Sequence, residues 1–192
     1  MFAFLISVLL STSCMHVGFQ TKNGVQRILC STPQIILVNE DIPFEWEYEI
    51  KNAIEYWNKV AEKDVFIYGG KTPYRAENFQ RPLFIIIDIT RQKEIGFWDK
   101  AGYFKRVGLT KRSYNDICIR GATILIRKPS IDKWNDLDRL ETLVRHELGH
   151  ALGLMHSDFD DDVMYSKIIK EIVHPVDLLP EAVENFRKTY RP

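Results

Sequence analysis

Three of the chain's five histidines lie between residues 146 and 156, in the segment HELGHALGLMH. His146 and His150 are four residues apart, slightly more than one helical turn, so on a helix their imidazoles lie on the same face. A helix that continued would carry His156 away from them, but Gly153 can adopt a positive φ, end the helix and turn the chain back. The segment therefore predicts a helix, a sharp turn and a cluster of three imidazoles.

Three imidazoles beside one carboxylate are suited to a catalytic zinc site. Imidazole nitrogens bind Zn²⁺ at about 2.0–2.1 Å, and three protein ligands leave a fourth position open, whereas structural zinc sites usually have four protein ligands. Glu147 follows the first histidine, so its carboxylate points toward the open position and can accept a proton from a metal-activated water. We therefore predict His146, His150 and His156 as metal ligands and Glu147 as the general base.

Hydrophobic periodicity places this segment at the end of a long helix in a mixed α and β domain. The predicted helices are 45–62, 131–152 and one that begins near Pro180. The predicted strands are 34–38, 64–68, 83–89, 101–107 and 121–127. The pair Gly69-Gly70 predicts a loop, and the polar segment between 107 and 121 is ambiguous. This order favours an α+β (α/β-like) enzyme domain without the alternation of a dinucleotide-binding fold.

The zinc segment resembles the metzincin signature HExxHxxGxxH. Ser157 after the third histidine, and Val163-Met164-Tyr165 beyond it, resemble the matrixin branch. Four residues resemble the first-helix pattern of matrixin-like catalytic domains: Ala53, Trp57, Val60 and Phe66. The resemblance implies a metzincin (zincin-like) fold, with a mixed, mostly parallel twisted sheet, one antiparallel edge strand, two long helices and a C-terminal helix. It also implies that Met164 and Tyr165 form the Met-turn beneath the metal and, with Gly153, support the site without being ligands.

The same resemblance implies a zinc endopeptidase that hydrolyses internal peptide bonds of extended protein or peptide substrates. We place the substrate-binding edge strand within residues 101–109, where substrate binds by β-augmentation. The sequence departs from the matrixin pattern at Ser166, where proline is common, and lacks a recognisable second zinc site. No calcium-binding loop is recognisable in the sequence. An acidic run could supply Ca²⁺ ligands or form a solvated loop; it contains Asp158, Asp160, Asp161 and Asp162.

The N-terminus resembles a signal for export. Residues 1–10 form an apolar run too short to span a bilayer but suited to a signal peptide, and small residues precede Cys14 as at a lipoprotein cleavage site. The alternative is a buried N-terminal strand. We predict an N-terminal signal or lipoprotein-type segment at 1–14, a flexible stretch at 15–32 and a single catalytic domain at 33–192. The protein is then secreted or in the cell envelope, with Cys14 as a candidate membrane anchor.

The remaining cysteines, Cys30 and Cys118, are a candidate disulfide in an oxidising compartment; the alternative is two separate buried thiols.

Formal net charge is zero, so the overall charge gives no support for a nucleic-acid partner. Residues 100–128 are rich in Lys and Arg, which would favour acidic substrates if this stretch lines the cleft. A monomer is favoured. The alternative function is a zinc-stabilised, non-catalytic binding or adhesion protein, or a surface lipoprotein, of metzincin fold.

Overall fold

The computed structural model describes residues 18–19, 21–22, 25–75, 84–90, 108–127, 137–166 and 175–191. Seven strands and three helices lie in these ranges. The strands are β1 Thr21–Lys22, β2 Val25–Gln26, β3 Gln34–Asn39, β4 Phe66–Thr72, β5 Ile85–Thr90, β6 Gly108–Tyr114 and β7 Ile119–Arg127. The helices are α1 Phe44–Ala61, α2 Leu137–Ala151 and α3 Pro180–Tyr190.

Five strands form the main sheet, in the order β4-β3-β5-β7-β6. The pairs β3–β4, β3–β5 and β5–β7 are parallel, and β6 runs antiparallel to β7 at the edge. The central position of β5 explains its sequence, because Ile85, Ile86 and Ile87 point alternately to the two faces of the sheet and are all fully buried. The mixed sheet with one antiparallel edge strand and three helices confirms the predicted fold class.

The two long helices pack against each other through their apolar stripes. In α1 the stripe includes Trp46, Ile50 and Trp57, which recur at helical spacing and are buried. Trp57 also donates its indole N–H to the carbonyl of Arg145 in α2 at 2.9 Å. This contact places α1 directly behind the helical turn that carries the first two histidines of the motif.

Arg145 joins three parts of the chain on the far side of α2. Its guanidinium donates to Glu141 in the same helix and to Asp177 in the segment before α3, both at 2.6 Å. It also lies over the ring of Tyr56 in α1, with Cζ 4.0 Å from the ring centroid. The contacts with Tyr56 and Asp177 attach α2 to α1 and to the segment before α3.

The edge strand lies later in the sequence than predicted. Its residues are Gly108–Tyr114, so the predicted range 101–109 overlaps it only at the start, and 101–107 lie outside the described residues. Gly69-Gly70 is also not a loop, because both residues belong to β4, a strand at the opposite edge of the sheet where glycine is better tolerated than at the centre. Leu137, an apolar residue in the first turn of α2, is exposed.

Two residues of the stretch 15–32, which was predicted to be flexible, pack into the core of the domain. Phe19 and Leu29 are buried, and Phe19 stacks against Phe186 of α3 with ring centroids 6.1 Å apart. The reason is non-local, since the sites that receive these two side chains are formed by residues far along the chain.

Cys30 and Cys118 form a disulfide that links this N-terminal segment to the turn between β6 and β7. The bridge joins positions separated by 88 residues. Cys14 and the predicted signal segment lie outside the described residues. In the described part of the chain no helix combines the length and the apolar character needed to cross a bilayer.

Candidate metal centre

The helix α2 ends directly after His150, and the chain turns at Gly153. The Gly153 N–H donates to the carbonyl of His150 at 3.0 Å, and the Leu154 N–H donates to the carbonyl of Gly149 at the same distance. Gly153 has φ +101°, and a Cβ added there would lie 2.1 Å from the carbonyl oxygen of Arg27. Glycine is therefore required at this position both by the backbone conformation and by the close approach of the N-terminal segment.

The turn brings His156 back to the two helical histidines. Each ring has one nitrogen in a group whose members all lie within 4.8 Å of one another. The nearest pair is His150 Nε2 and His156 Nε2, at 3.1 Å. Burial decreases from His146, the most enclosed, to His156, which is exposed, so the cluster faces a surface opening.

Two of the three imidazoles are fixed by backbone carbonyls. His146 Nδ1 lies 2.8 Å from the carbonyl oxygen of Val163, and His150 Nδ1 lies 2.9 Å from that of Leu154. A carbonyl can only accept, so each Nδ1 carries the proton and each Nε2 presents a lone pair. This is the tautomer that a metal ligand requires, with a backbone acceptor that fixes the orientation of the ring.

Burial keeps both rings neutral. It lowers the pKa of His146 to about 4. It also lowers the pKa of His150 well below its usual value, with smaller contributions from the neighbouring His146, His156 and Arg112. At neutral pH these rings are therefore unprotonated at Nε2, the state that binds a cation. The His150 and His156 nitrogens face each other at hydrogen-bonding distance, which also suits a shared Zn²⁺.

The predicted Met-turn supports the cluster from below. Met164 is fully buried, and its sulfur lies so close to Gly149 that a Cβ added there would be 2.4 Å from it. Its carbonyl accepts the N–H of Ser157 at 2.8 Å, and Tyr165 bridges to Ser157, the residue after the third histidine. The carbonyl of Val163 is the one that holds His146. One short segment thus contacts the helix between the two ligand positions, the first imidazole and the chain beside the third.

The acidic run beyond the cluster contains one carboxylate that is bound by backbone N–H groups. Asp162 is buried, and its carboxylate accepts the N–H groups of Met164 at 2.6 Å and Leu179 at 3.2 Å. It therefore fastens the Met-turn to the start of α3. In the described ranges, the three histidines are the one group of His, Cys, Asp or Glu ligand atoms close enough together to hold a metal ion.

Glu147 is part of α2, and its side chain faces the edge strand β6. Its side chain is buried, and Oε2 accepts a hydrogen bond from the hydroxyl of Thr110 at 2.6 Å. Gly108, two residues earlier in β6, leaves space for the other oxygen, because an added Cβ would lie 2.5 Å from Oε1. The predicted base, on the helix that carries His146 and His150, is thus held by a strand that the sequence pattern left ambiguous.

Arg112 is the third residue on this face of β6. Side chains two residues apart point to the same side of a strand, so Arg112 follows Gly108 and Thr110 on the side of α2. Its charge contributes to the lowered pKa of His150. Its Nη1 is buried and makes no hydrogen bond within the described part of the chain. A positive group with unused donor capacity therefore lies within electrostatic range of His150.

Thr110, Gly108 and Arg112 were not identified as site residues from the sequence. Their contacts with α2 depend on tertiary packing across more than thirty positions, and a threonine or glycine in a polar segment carries no signal of its own. The sequence carried one weak signal: the three residues are spaced two positions apart, which places their side chains on one side of a strand if the segment is a strand.

Comparisons with known proteins agree with this arrangement. A family model described as matrixin, Peptidase_M10, matches residues 55–191. The crystal structure of archaemetzincin from Methanopyrus kandleri is similar over 84% of this chain and 94% of that chain, with a TM-score of 0.50 and 15% sequence identity, a likeness that shows the fold. No curated protein matches the chain. The family match covers most of the chain and all three histidines. The chain therefore belongs to the matrixin family of zinc metallopeptidases.

Proposed function

We propose that the protein is a zinc-dependent endopeptidase that hydrolyses internal peptide bonds in extended segments of protein substrates. The observation that carries this proposal is the convergence of three imidazole nitrogens within 4.8 Å of one another, two of them on the helix that also bears the buried Glu147. A site that served only to stabilise the fold would gain nothing from an acid next to the ligands, because a buried carboxylate is costly to desolvate.

The residues have separate roles in this proposal. His146, His150 and His156 hold Zn²⁺, and the metal, when bound, acts as a Lewis acid that polarises the scissile carbonyl and increases the acidity of water. Glu147 accepts a proton from the attacking water and delivers it to the leaving amine. The Met-turn keeps the first and third imidazoles in place.

The edge strand β6 supports the assignment of extended substrates. It is the terminal strand of the main sheet, and it lies beside α2, with Thr110 in contact with Glu147. A peptide that adds to the outer side of β6 would pair through main-chain hydrogen bonds and pass beside the base. Because such pairing is mostly with the backbone, it selects conformation more than sequence.

We also propose that the protein acts outside the cytoplasm, either secreted or in the cell envelope. The Cys30–Cys118 disulfide supports this location, because such bonds persist mainly in oxidising compartments. The apolar segment at 1–10 and Cys14 supply the export signal and a candidate lipid anchor.

Removal of the metal tests the proposal. We expect cleavage of a quenched fluorescent peptide to stop when a chelator strips the protein, and to return when one equivalent of Zn²⁺ is added. We also expect the melting temperature to fall in the stripped protein, since a ligand that binds the native state stabilises it. A zinc-loaded, folded protein that cleaves no peptide or casein substrate would favour the non-catalytic alternative. Activity that survives complete removal of zinc would exclude the proposed chemistry.

We propose that the charge of Arg112, which acts on His150, gives the enzyme a preference for acidic side chains near the scissile bond. We expect peptides with one Glu in the subsite reached by Arg112 to be cleaved about five-fold better, in kcat/KM, than the same peptides with Gln, a ratio that corresponds to about 1 kcal/mol. The preference should disappear in Arg112→Gln. The matched control is Lys188→Gln, which removes one positive charge from an exposed position on α3. Equal kcat/KM values for the Glu and Gln peptides at every position would contradict this prediction.

A further inference from the structure

The edge strand β6 contacts the two carboxylate oxygens of Glu147 at different residues. Thr110 Oγ1 lies 2.6 Å from Oε2 and 2.9 Å from the backbone carbonyl oxygen of the same residue. Gly108 faces the other oxygen, and a Cβ there would lie 2.5 Å from Oε1 and 3.0 Å from Cδ. The carboxylate is therefore bounded by one strand at both of its oxygens.

We propose that Thr110 is a positioning residue for the general base, and that Gly108 provides the space in which Thr110 holds the Glu147 carboxylate. This inference rests on the proposed function, because it assigns Thr110 a role only if Glu147 acts as the base. It deepens that function by placing part of the catalytic geometry on the strand that receives the substrate.

The physical reason is the flexibility of a glutamate side chain. Its carboxylate can sample several rotamers, and a displacement of about 1 Å from the productive position can lower a rate by about 10²-fold. A hydrogen bond from a hydroxyl to an ionised carboxylate is stronger than a hydrogen bond between two neutral groups. The Thr110 bond therefore selects the rotamer in which the carboxylate lies against β6.

The same contact relates the base to the substrate. A peptide paired with the outer side of β6 is held by the backbone around Thr110, while the hydroxyl of Thr110 holds the base. The strand thus fixes the distance between the scissile bond and the carboxylate through one residue. A loose contact at this position would affect the chemical step and leave main-chain substrate binding largely intact.

Two substitutions at Thr110 separate the hydroxyl from the shape of the side chain. Thr110→Val keeps the branched shape that suits a strand and removes the hydroxyl, whereas Thr110→Ser keeps the hydroxyl. We expect Thr110→Val to lower kcat about 10–100-fold with KM within about two-fold of the wild type. We expect Thr110→Ser to retain kcat within about three-fold, so that the conservative variant restores the function that Val loses.

Thr142→Val is the matched control. Thr142 is in α2, and its hydroxyl accepts the N–H of Val176 on the far side from the edge strand. This change also removes one threonine hydroxyl and its hydrogen bond, so it should lower stability without a change in kcat. A loss of activity in Thr110→Val that only followed reduced stability would therefore appear in the control as well.

Crystal structures of the zinc-loaded Thr110 variants provide a readout that is independent of activity. We expect the Glu147 carboxylate to keep its position in Thr110→Ser and to leave it, or to occupy more than one rotamer, in Thr110→Val. Wild-type kcat and an unmoved carboxylate in Thr110→Val would overturn the inference and leave the proposed function intact, provided that replacement of Glu147 abolishes activity. A wild-type protein without peptidase activity would overturn both.

Discussion

Replacement of Glu147 by alanine should abolish peptide hydrolysis while the protein keeps one bound zinc. The carboxylate supplies no metal ligand in our assignment, so its loss leaves the three imidazoles, and the backbone carbonyls that hold two of them, unchanged. General acid–base catalysis by one side chain contributes about 10²–10⁴-fold, and we expect kcat/KM to fall by that factor. The measurements are cleavage of a quenched peptide and zinc content by elemental analysis of the same preparation.

Two controls distinguish loss of the base from loss of the fold. Glu147→Gln keeps the size of the side chain and should be as inactive as Glu147→Ala. Glu141 lies six residues earlier in α2, and its carboxylate binds Arg145. Glu141→Gln should therefore reduce stability but leave kcat within about two-fold. Full activity in Glu147→Ala, with zinc bound, would show that another group is the base or that a contaminant cleaves the peptide.

Replacement of Gly153 by alanine should remove the third ligand from the site. Gly153 has φ +101°, a conformation that costs a residue with a Cβ about 1–3 kcal/mol, and the added carbon would lie 2.1 Å from the carbonyl oxygen of Arg27. Relief of that contact requires the turn to move, and His156 moves with it. We expect zinc affinity to fall by at least about ten-fold and the free energy of unfolding by about 2–4 kcal/mol.

Gly70 provides a matched control for the cost of placing alanine at a positive φ, without the clash that Gly153→Ala adds. It also has a positive φ, of +93°, but a Cβ added there has no neighbour within 4 Å. Gly70→Ala should therefore lower the free energy of unfolding by about 1–3 kcal/mol and leave zinc affinity unchanged. Urea unfolding and zinc titration of both variants measure the difference. Wild-type zinc affinity in Gly153→Ala would show that the turn does not depend on glycine.

The parts of this fold that were predictable are those with a strong local pattern. The stripes of α1 and α2 recur at helical spacing, and the apolar run of β5 has the length of a central strand. The histidine segment could be interpreted because its chemistry is local, with two ligands one turn apart and a glycine before the third.

The remaining parts depend on contacts between distant residues. The sequence of β6, GLTKRSY, is polar because the strand lies at an edge and one of its faces meets Glu147 of α2, so periodicity gave no clear strand. The burial of Phe19 depends on α3, and the role of Thr110 depends on Glu147, 37 positions later. Such pairs leave no local trace in a single sequence.

The position of zinc tests the central assignment most directly. An anomalous difference map, measured at the zinc absorption edge from crystals of the wild-type protein, should show one strong peak about 2.0–2.1 Å from a ring nitrogen of each of His146, His150 and His156. A map with its peak elsewhere, or with His156 outside coordination distance, would contradict the assignment.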